Sequence, residues 1–412
     1  MKNQFLSCLL TAVILTGCGT QQTTEQASDS FPNVQEVAQL QPYEVLSPLS
    51  AETEEIRACW LPVMLYSTWM RGKSAEEFRT QVCSAFQNCA ELGINTVYLH
   101  VRAYGDAYYL SDLFPKGSYL DGDYDPLAIM TEEAHAVGLS VHAWINPLRG
   151  PTEQVLADTD VCYPLRQWYD DPQYLGTYLV AVDGRYYLNP AYPEVRQLIA
   201  DGVTEILTQY PVDGIHIDDY FYPTTDESFD ATAFAESGAA DLGDWRRENC
   251  SAMVRAIYDA VKAQGDTLIF SISPQGNLSA GYENLYADAA LWCSTAGYCD
   301  YIVPQLYYGF ENSTCPFAET AALWAQTATE AKLVLGIGVY KTGLSDTWAG
   351  SGVSEWLTDG TVASREVALA ASLDGVDGVA LYSYASLFEP EESVAAAITA
   401  EVERIGTLWR TE

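Results

Sequence analysis

The sequence predicts an α/β fold: a (β/α)8 TIM barrel behind an N-terminal lipoprotein signal and tether. Three observations carry this expectation. From residue 56 onward, an apolar strand, a polar loop and an amphipathic helix follow one another eight times. Strands separated by helices run parallel, and eight such units close a barrel. The first strand runs into Tyr66-Ser67-Thr68-Trp69, whereas a doubly wound sheet usually opens on a glycine-rich turn.

Lys2 precedes an apolar run from Phe5 to Leu15. The run is too short to cross a bilayer and has the length of a signal-peptide core. It ends in Leu15-Thr16-Gly17-Cys18, similar to the bacterial lipobox, and a polar Gln/Thr stretch follows. The expected organisation is a signal peptide over 1–17, lipidation at Cys18, a flexible tether over 18–50 and the barrel over 51–412. Acyl chains on Cys18 would supply a stable membrane anchor.

The first strand is expected over 56–66. Its helix, 74–92, opens on Ser74 with Glu77 three residues on, a capping-box pattern. Phe78, Val82, Phe86, Cys89 and Leu92 form its apolar stripe, and Gly93 stops it. The second strand is 94–103 and its helix 126–137. The third strand is 139–146, with an insertion over 147–193 and then a helix over 194–210. Asp213-Gly214 turns into the fourth strand, Ile215-His216-Ile217-Asp218. Alternation places Ile215 and Ile217 on one face and His216 and Asp218 on the other. Further strands are read at 267–274, 301–307, 332–340 and 378–384. Their partner helices are 242–264 before the fifth strand, then 286–293, 317–330, 364–373 and 390–408. Val212-Asp213-Gly214 recurs as Val376-Asp377-Gly378 before the eighth strand.

The chain has 412 residues, 48% hydrophobic, with a net charge of −36. Such a charge repels phosphate backbones and anionic membrane surfaces. It excludes nucleic acid as a partner and leaves a lipid as the route to a membrane. The 28 Tyr and 10 Trp suit stacking on ring-shaped ligands. Eight cysteines remain once Cys8 and Cys18 are set aside; Cys293 and Cys299, around a helix-to-strand turn, are the best placed to pair. No Cys-x-x-Cys occurs and there are only 4 His, so no metal or other cofactor is expected.

Barrel chemistry sits at the C-terminal ends of the strands. Gathered there are Arg102, Tyr104 and Asp106; Trp144, Asn146 and Arg149; His216, Asp218, Asp219, Tyr220 and Tyr222; Ser273, Gln275 and Asn277; Gln305, Tyr307 and Tyr308; and Tyr382 and Tyr384. Amides and guanidinium groups hydrogen-bond hydroxyls, aromatic rings stack on sugars and carboxyl groups handle a glycosidic bond. There is no Gly-x-Ser-x-Gly elbow and no phosphate loop. The set fits glycoside hydrolysis. Asp218 is the first candidate for nucleophile or charge stabiliser and Asp219 the second. The general acid is open among Asp106, Glu283, Asp288 and Glu311, with Asp106 first. Substrate binding falls to Arg102, Trp144, Asn146, Arg149, His216, Tyr220, Tyr222, Gln275, Asn277, Gln305 and Tyr307. His216 is either an interior histidine or a cation that keeps Asp218 ionised.

The chain also resembles the glycosyl-hydrolase-like family 10 lipoproteins. The resemblance covers roughly 56–400. It rests on Val101-Arg102, Asp106-Ala107-Tyr108-Tyr109, Tyr124-Asp125-Pro126-Leu127, Glu133-Ala134-His135 and His142-Ala143-Trp144-Ile145-Asn146-Pro147. It continues through Tyr187-Leu188-Asn189-Pro190, Pro193-Glu194-Val195-Arg196 and Asp213-Gly214-Ile215-His216-Ile217-Asp218-Asp219-Tyr220-Phe221-Tyr222-Pro223. Ser273-Pro274-Gln275-Gly276-Asn277 and Asp300-Tyr301-Ile302-Val303-Pro304-Gln305 complete it. The resemblance implies a (β/α)8 barrel, extracytoplasmic placement and action on bacterial cell-wall glycan, some relatives cutting strands stripped of peptides. Two departures stand out: no Asp-Trp-Pro follows the first strand, and the fifth ends Pro-Gln-Gly-Asn. The expectation is a lipid-anchored monomer that hydrolyses a polysaccharide. Its rivals are a non-catalytic glycan-binding lipoprotein and a hydrolase of dietary or host polysaccharide.

Overall fold

A computed structural model describes residues 55–411. The expected signal, Cys18 and the tether lie outside the described residues. The barrel strands are β1 (Ile56–Leu61), β2 (Thr96–Arg102), β3 (Ser140–Ile145), β4 (Gly214–Ile217), β5 (Ile269–Ile272), β6 (Tyr301–Ile302 and Gln305–Leu306), β7 (Lys332–Ile337) and β8 (Gly378–Leu381). Each pairs in parallel with the next, and β8 pairs with β1, so the sheet closes.

The outer helices are α1 (Ala75–Leu92), α2 (Pro126–Ala136), α3 (Pro193–Gln209), α4 (Leu242–Gln264), α5 (Ala289–Ser294), α6 (Phe317–Thr327), α7 (Val362–Ser372) and α8 (Ala395–Thr411). The capping box of α1 forms as read: Ser74 accepts from the Glu77 amide, and the Glu77 carboxylate accepts from the Ser74 amide. Its stripe is buried and Gly93 closes it at a left-handed φ of 104°.

Prolines account for two boundary differences. β1 ends at Leu61 rather than at 66, because Pro62 has no N–H for the ladder; short helical turns, Val63–Leu65 and Tyr66–Trp69, follow. Pro304 parts the two halves of β6 in the same way. The insertion forms an antiparallel sheet of Arg149–Thr152, Arg185–Leu188 and Leu179–Val182. Its hairpin turns at Asp183-Gly184, with φ of 48° and 80°, the pair of positive values that a two-residue turn needs.

Four side chains clamp the N-terminal mouth of the barrel. The residue before each even strand accepts a hydrogen bond from an amide at the start of the preceding odd strand. Asn95 accepts from Arg57 at 3.0 Å, Asp213 from Val141 at 2.7 Å, Asp300 from Phe270 at 2.7 Å and Asp377 from Leu333 at 2.9 Å. The backbone of the same four residues carries the ladder on both sides. Asp213, for example, donates to Val141 and accepts from Ile269. Gly214 and Gly378 follow two of the clamps because the neighbouring strand leaves no room: a Cβ would meet Ile269 O at 2.4 Å and Ile56 O at 2.0 Å. The recurrence of Val-Asp-Gly thus belongs to a pattern repeated at every even strand.

All eight described cysteines are free thiols. The expected pairing of Cys293 with Cys299 is not made; their sulfurs approach the carbonyls of Ala290 and Trp292 instead.

The clamps predict a specific stability pattern. Asp213→Ala leaves the buried Val141 amide without its acceptor and is expected to cost about 1–3 kcal/mol in urea unfolding. Asp213→Asn is expected to cost clearly less, since Asn95 already serves at the equivalent place. Equal losses in the two variants would refute the clamp.

Candidate active site

The floor of the cleft is an aromatic and imidazole layer inside the barrel. Trp60 Nε1 donates to His216 Nε2 at 3.0 Å, and His216 Nδ1 meets Ser271 Oγ at 2.8 Å. Tyr98 lies flat on the His216 ring, 3.9 Å away at 8°. An indole N–H only donates, so Nε2 is the acceptor and the ring proton sits on Nδ1. Burial holds the His216 pKa well below the usual value. The ring is therefore neutral, which corrects the reading of His216 as a cation beside Asp218. Trp60 fits because β7 carries Gly336, where a Cβ would come within 3.2 Å of the indole and 2.8 Å of Pro304 O.

Above this floor, β4 delivers the two acids. Asp218 is buried; its Oδ2 accepts from Trp144 Nε1 at 3.1 Å and its Oδ1 from the Tyr220 amide at 3.1 Å. Trp144 is held flat against His100, with centroids 3.6 Å apart, and its N–H is shared with Asn146 Oδ1 at 3.1 Å. Asp219 is partly exposed and is hydrogen-bonded by Gln305, which itself donates to Ser273 O. The two carboxyl groups thus lean apart, one toward β3 and one toward β6. Burial, then the charge of Asp219, pushes the Asp218 carboxyl well above the usual range; the Tyr220 amide, Trp144 and Arg149 pull against this. Desolvation raises Asp219 as well. Two close, desolvated carboxyl groups titrate as a pair.

Three tyrosines wall the opposite side. Tyr307 lies 5.5 Å from Tyr382 and 5.8 Å from Tyr340, and Trp60 contacts Tyr307 and Tyr382 from below. The fourth side is cationic. Arg149 sits over Tyr220 at 4.1 Å and over Tyr104 at 4.9 Å, and Arg185 lies over the same Tyr104 at 4.4 Å.

The structure therefore brings together Asp218, Asp219, Trp144, Asn146, Arg149, Tyr220, Gln305 and Tyr307. Gln275 joins them at the rim through a backbone bridge to Gln305. Four expected residues go elsewhere. A bulge in β2 between His100 and Arg102 shifts the register. It turns Arg102 outward, where it is buried over Phe114 at 4.3 Å and against Gly202 of α3. Tyr222 is buried under its own loop, beside Phe229, Tyr286 and the Arg246–Asp230 ion pair at 2.6 Å. Asn277 caps the short helix Leu278–Asn284. Asp106 spends Oδ1 on the amides of Ala103 and Tyr104, at 3.1 and 2.9 Å, and so shapes the loop that presents Tyr104. Among the other acid candidates, Glu283 and Glu311 are exposed, and Asp288 caps α5.

Sequence reasoning missed Trp60, His100, Ser271, Tyr340 and Arg185. The first three lie below the strand ends, within the strands. Arg185 lies in the insertion, but Asp183-Gly184 between apolar residues is a hairpin signal that could have located it.

Fold and site define a glycoside-hydrolase-like TIM barrel. The sequence profile of the family described as Glycosyl hydrolase-like 10 matches residues 55–348, and the chain belongs to that family. Glycosyl hydrolase YngK of Bacillus subtilis (strain 168) is 31% identical over 314 residues, covering 69% of this chain and 60% of that protein. Glycosyl hydrolase DigH of Escherichia coli O6:H1 is 29% identical over 375 residues, covering 83% of each. Among solved structures, the glycoside hydrolase domain of PgaB (BpsB) from Bordetella bronchiseptica superposes with a TM-score of 0.55 at 11% identity, covering 86% of this chain and 98% of that one. Alpha-L-fucosidase isoenzyme 2 from Paenibacillus thiaminolyticus gives 0.52 at 15%, covering 87% of this chain and 49% of that one. These structural likenesses show the fold.

Trp144→Phe keeps a ring against His100 and removes one donor from Asp218. Loss of a hydrogen bond to a charged group costs about 1.5–3 kcal/mol. Turnover of any substrate is therefore expected to fall on the order of ten- to hundredfold, with circular dichroism unchanged. Unchanged turnover would show that the indole does not act through Asp218.

Proposed function

We propose that the chain is a glycoside hydrolase that cuts O-glycosyl bonds in bacterial cell-wall glycan strands. The observation that carries this reading is the Asp218–Asp219 pair in an aromatic cleft, one acid buried on an indole donor and the other at the lip. The family resemblance supports cell-wall glycan as the substrate. The lipobox-like Leu15-Thr16-Gly17-Cys18 supports a lipid anchor outside the cytoplasm.

In the reading we favour, burial and the Asp219 charge place the pair's proton on Asp218 in the free protein. The positive charge that develops on a bound sugar reverses this, so that Asp218 carries the negative charge. Both of its oxygens accept hydrogen bonds, from Trp144 and from Tyr220. It faces the positive charge that grows at the anomeric carbon as the glycosidic bond stretches. Asp219 then takes up the pair's proton and delivers it to the departing oxygen. Tyr307, Tyr340 and Tyr382 hold the sugar faces and exclude water from the carboxyl groups. Water then attacks the anomeric carbon and gives its proton to the deprotonated Asp219, which restores the pair.

Purified protein and its Asp218→Asn and Asp219→Asn variants, incubated with peptide-stripped peptidoglycan and a panel of plant and host polysaccharides, test this by mass spectrometry. New reducing ends are expected on the bacterial strands, with each variant slower on the order of 10²–10⁴-fold. No cleavage of any glycan, or full activity in both variants, overturns the proposal.

The pH profile is a separate check. An acid must be protonated to act, and burial raises the pair. Turnover is therefore expected to persist above the ordinary aspartate range and to fall as pH rises through the raised value. A descending limb at about 4, the ordinary aspartate value, would argue against Asp219 as the acid.

A further inference from the structure

We infer that Arg149 and Arg185, on either side of the insertion, form a subsite for a sugar unit that bears a free carboxylate. This rests on the hydrolase reading above and extends it from the bond that is cut to the unit that is recognised.

Two guanidinium groups each stack on one ring, Tyr104, at 4.9 and 4.4 Å, near enough for the charge of Arg149 to act on Arg185. In a chain of net charge −36, cations that face a cleft usually meet an acid of the same protein. Here neither arginine lies within ion-pair distance of a carboxylate among the described residues. Arg149 Nε is buried and lacks any hydrogen-bond partner. Arg185 spends one nitrogen on Gly150 O at 2.7 Å. Burial and the charge of Arg149 both press the Arg185 pKa downward, against a weaker pull from Tyr104, Tyr187 and Asp106. Two like charges held together and partly desolvated are unfavourable without an anion. The fold nevertheless enforces the arrangement from three directions. Asp106 fixes the Tyr104 loop, the Asp183-Gly184 turn places Arg185, and Tyr220 holds Arg149.

The site also sits where substrate must pass. Tyr220 follows the acid pair directly, and Arg149 acts on the charge of Asp218 and of Asp219. A carboxylate on the sugar beside the cleaved bond would reach the forked donors of both arginines. Guanidinium groups match a carboxylate through paired N–H donors. The tyrosine faces next to them suit the ring that carries it. The chemistry recognised is a pyranose with a free acid group, whether as a lactyl ether or as a uronate.

The test compares four probes with the full chain: peptide-free cell-wall strands with free lactyl carboxylates, the same strands capped as methylamides, a neutral N-acetylglucosamine oligomer, and an oligogalacturonate. Wild-type protein is expected to prefer an acid-bearing glycan over the capped strands on the order of ten- to hundredfold in kcat/KM. Preference among the two acid-bearing probes identifies the source of the carboxylate. Arg185→Gln is expected to bring the ratio of free to capped strands close to one, and Arg185→Lys to keep most of it. Wild-type protein that prefers neither acid-bearing glycan over the capped strands and the neutral oligomer overturns the subsite, as does a preference unmoved in Arg185→Gln protein that is folded by circular dichroism.

Calorimetry on Asp218→Asn protein separates this proposal from the hydrolase reading. Selective binding of an acid-bearing glycan, with no cleavage by wild type, keeps the subsite and removes the hydrolase. Cleavage without regard to the carboxylate does the reverse.

Discussion

Four short hydrogen bonds at the closed end of the barrel set the register on which the site depends. Asn95, Asp213, Asp300 and Asp377 each tie an even strand to the amide of the odd strand before it. A one-residue slip in a strand exchanges its inner and outer faces. For β4 a slip would send Asp218 into the apolar layer under the helices and bring Ile217 into the cleft. The clamp at Asp213 is reinforced by His135, 2.8 Å away at the end of α2. Strand, neighbour and outer helix are thereby joined at the residue that starts the acid-bearing strand.

From that fixed end the interior is built upward by size. Small residues, Ala58, Ala380 and Gly336, leave space that Trp60 and Tyr98 fill. His216 is the junction of this layer. A hydrocarbon of the same shape could fill the volume, but it could not accept from Trp60 and meet Ser271. Satisfying both of its nitrogens inside the protein keeps the imidazole uncharged and the indole in place. The acids are thus seated on a buried, packed floor. Burial is the first cause of their raised pKa values, and the charge of Asp219 raises the Asp218 value further.

The fold was legible in the sequence because its signals are local and repeated. A capping box, an apolar stripe and a stop glycine placed α1 almost to the residue, and apolar periodicity placed α4. The acid pair was legible too, since alternation from Ile215 through Ile217 leaves only one orientation for Asp218. What escaped depends on tertiary geometry. No local pattern marks the bulge that turns Arg102 away. Tyr222 follows two acids in an aromatic run, yet the buried Arg246–Asp230 pair draws its loop downward and takes the ring with it. Pro62 and Pro304, by contrast, were readable signs of strand ends. The expected membrane anchor and tether fall outside residues 55–411.

The insertion between β3 and α3 has a consequence for how such a protein changes over time. Arg185 sits on a surface hairpin, whereas Asp218, Trp144 and His216 sit on barrel strands locked by ladder and core. The hairpin contributes nothing to the closure of the barrel. Lengthening it, shortening it or altering its charge leaves the strand register and the acid pair untouched. In the function proposed for this chain, recognition and bond cleavage are therefore separable in inheritance. A lineage can exchange one sugar for another by remodelling a hairpin while the chemical apparatus is handed down intact.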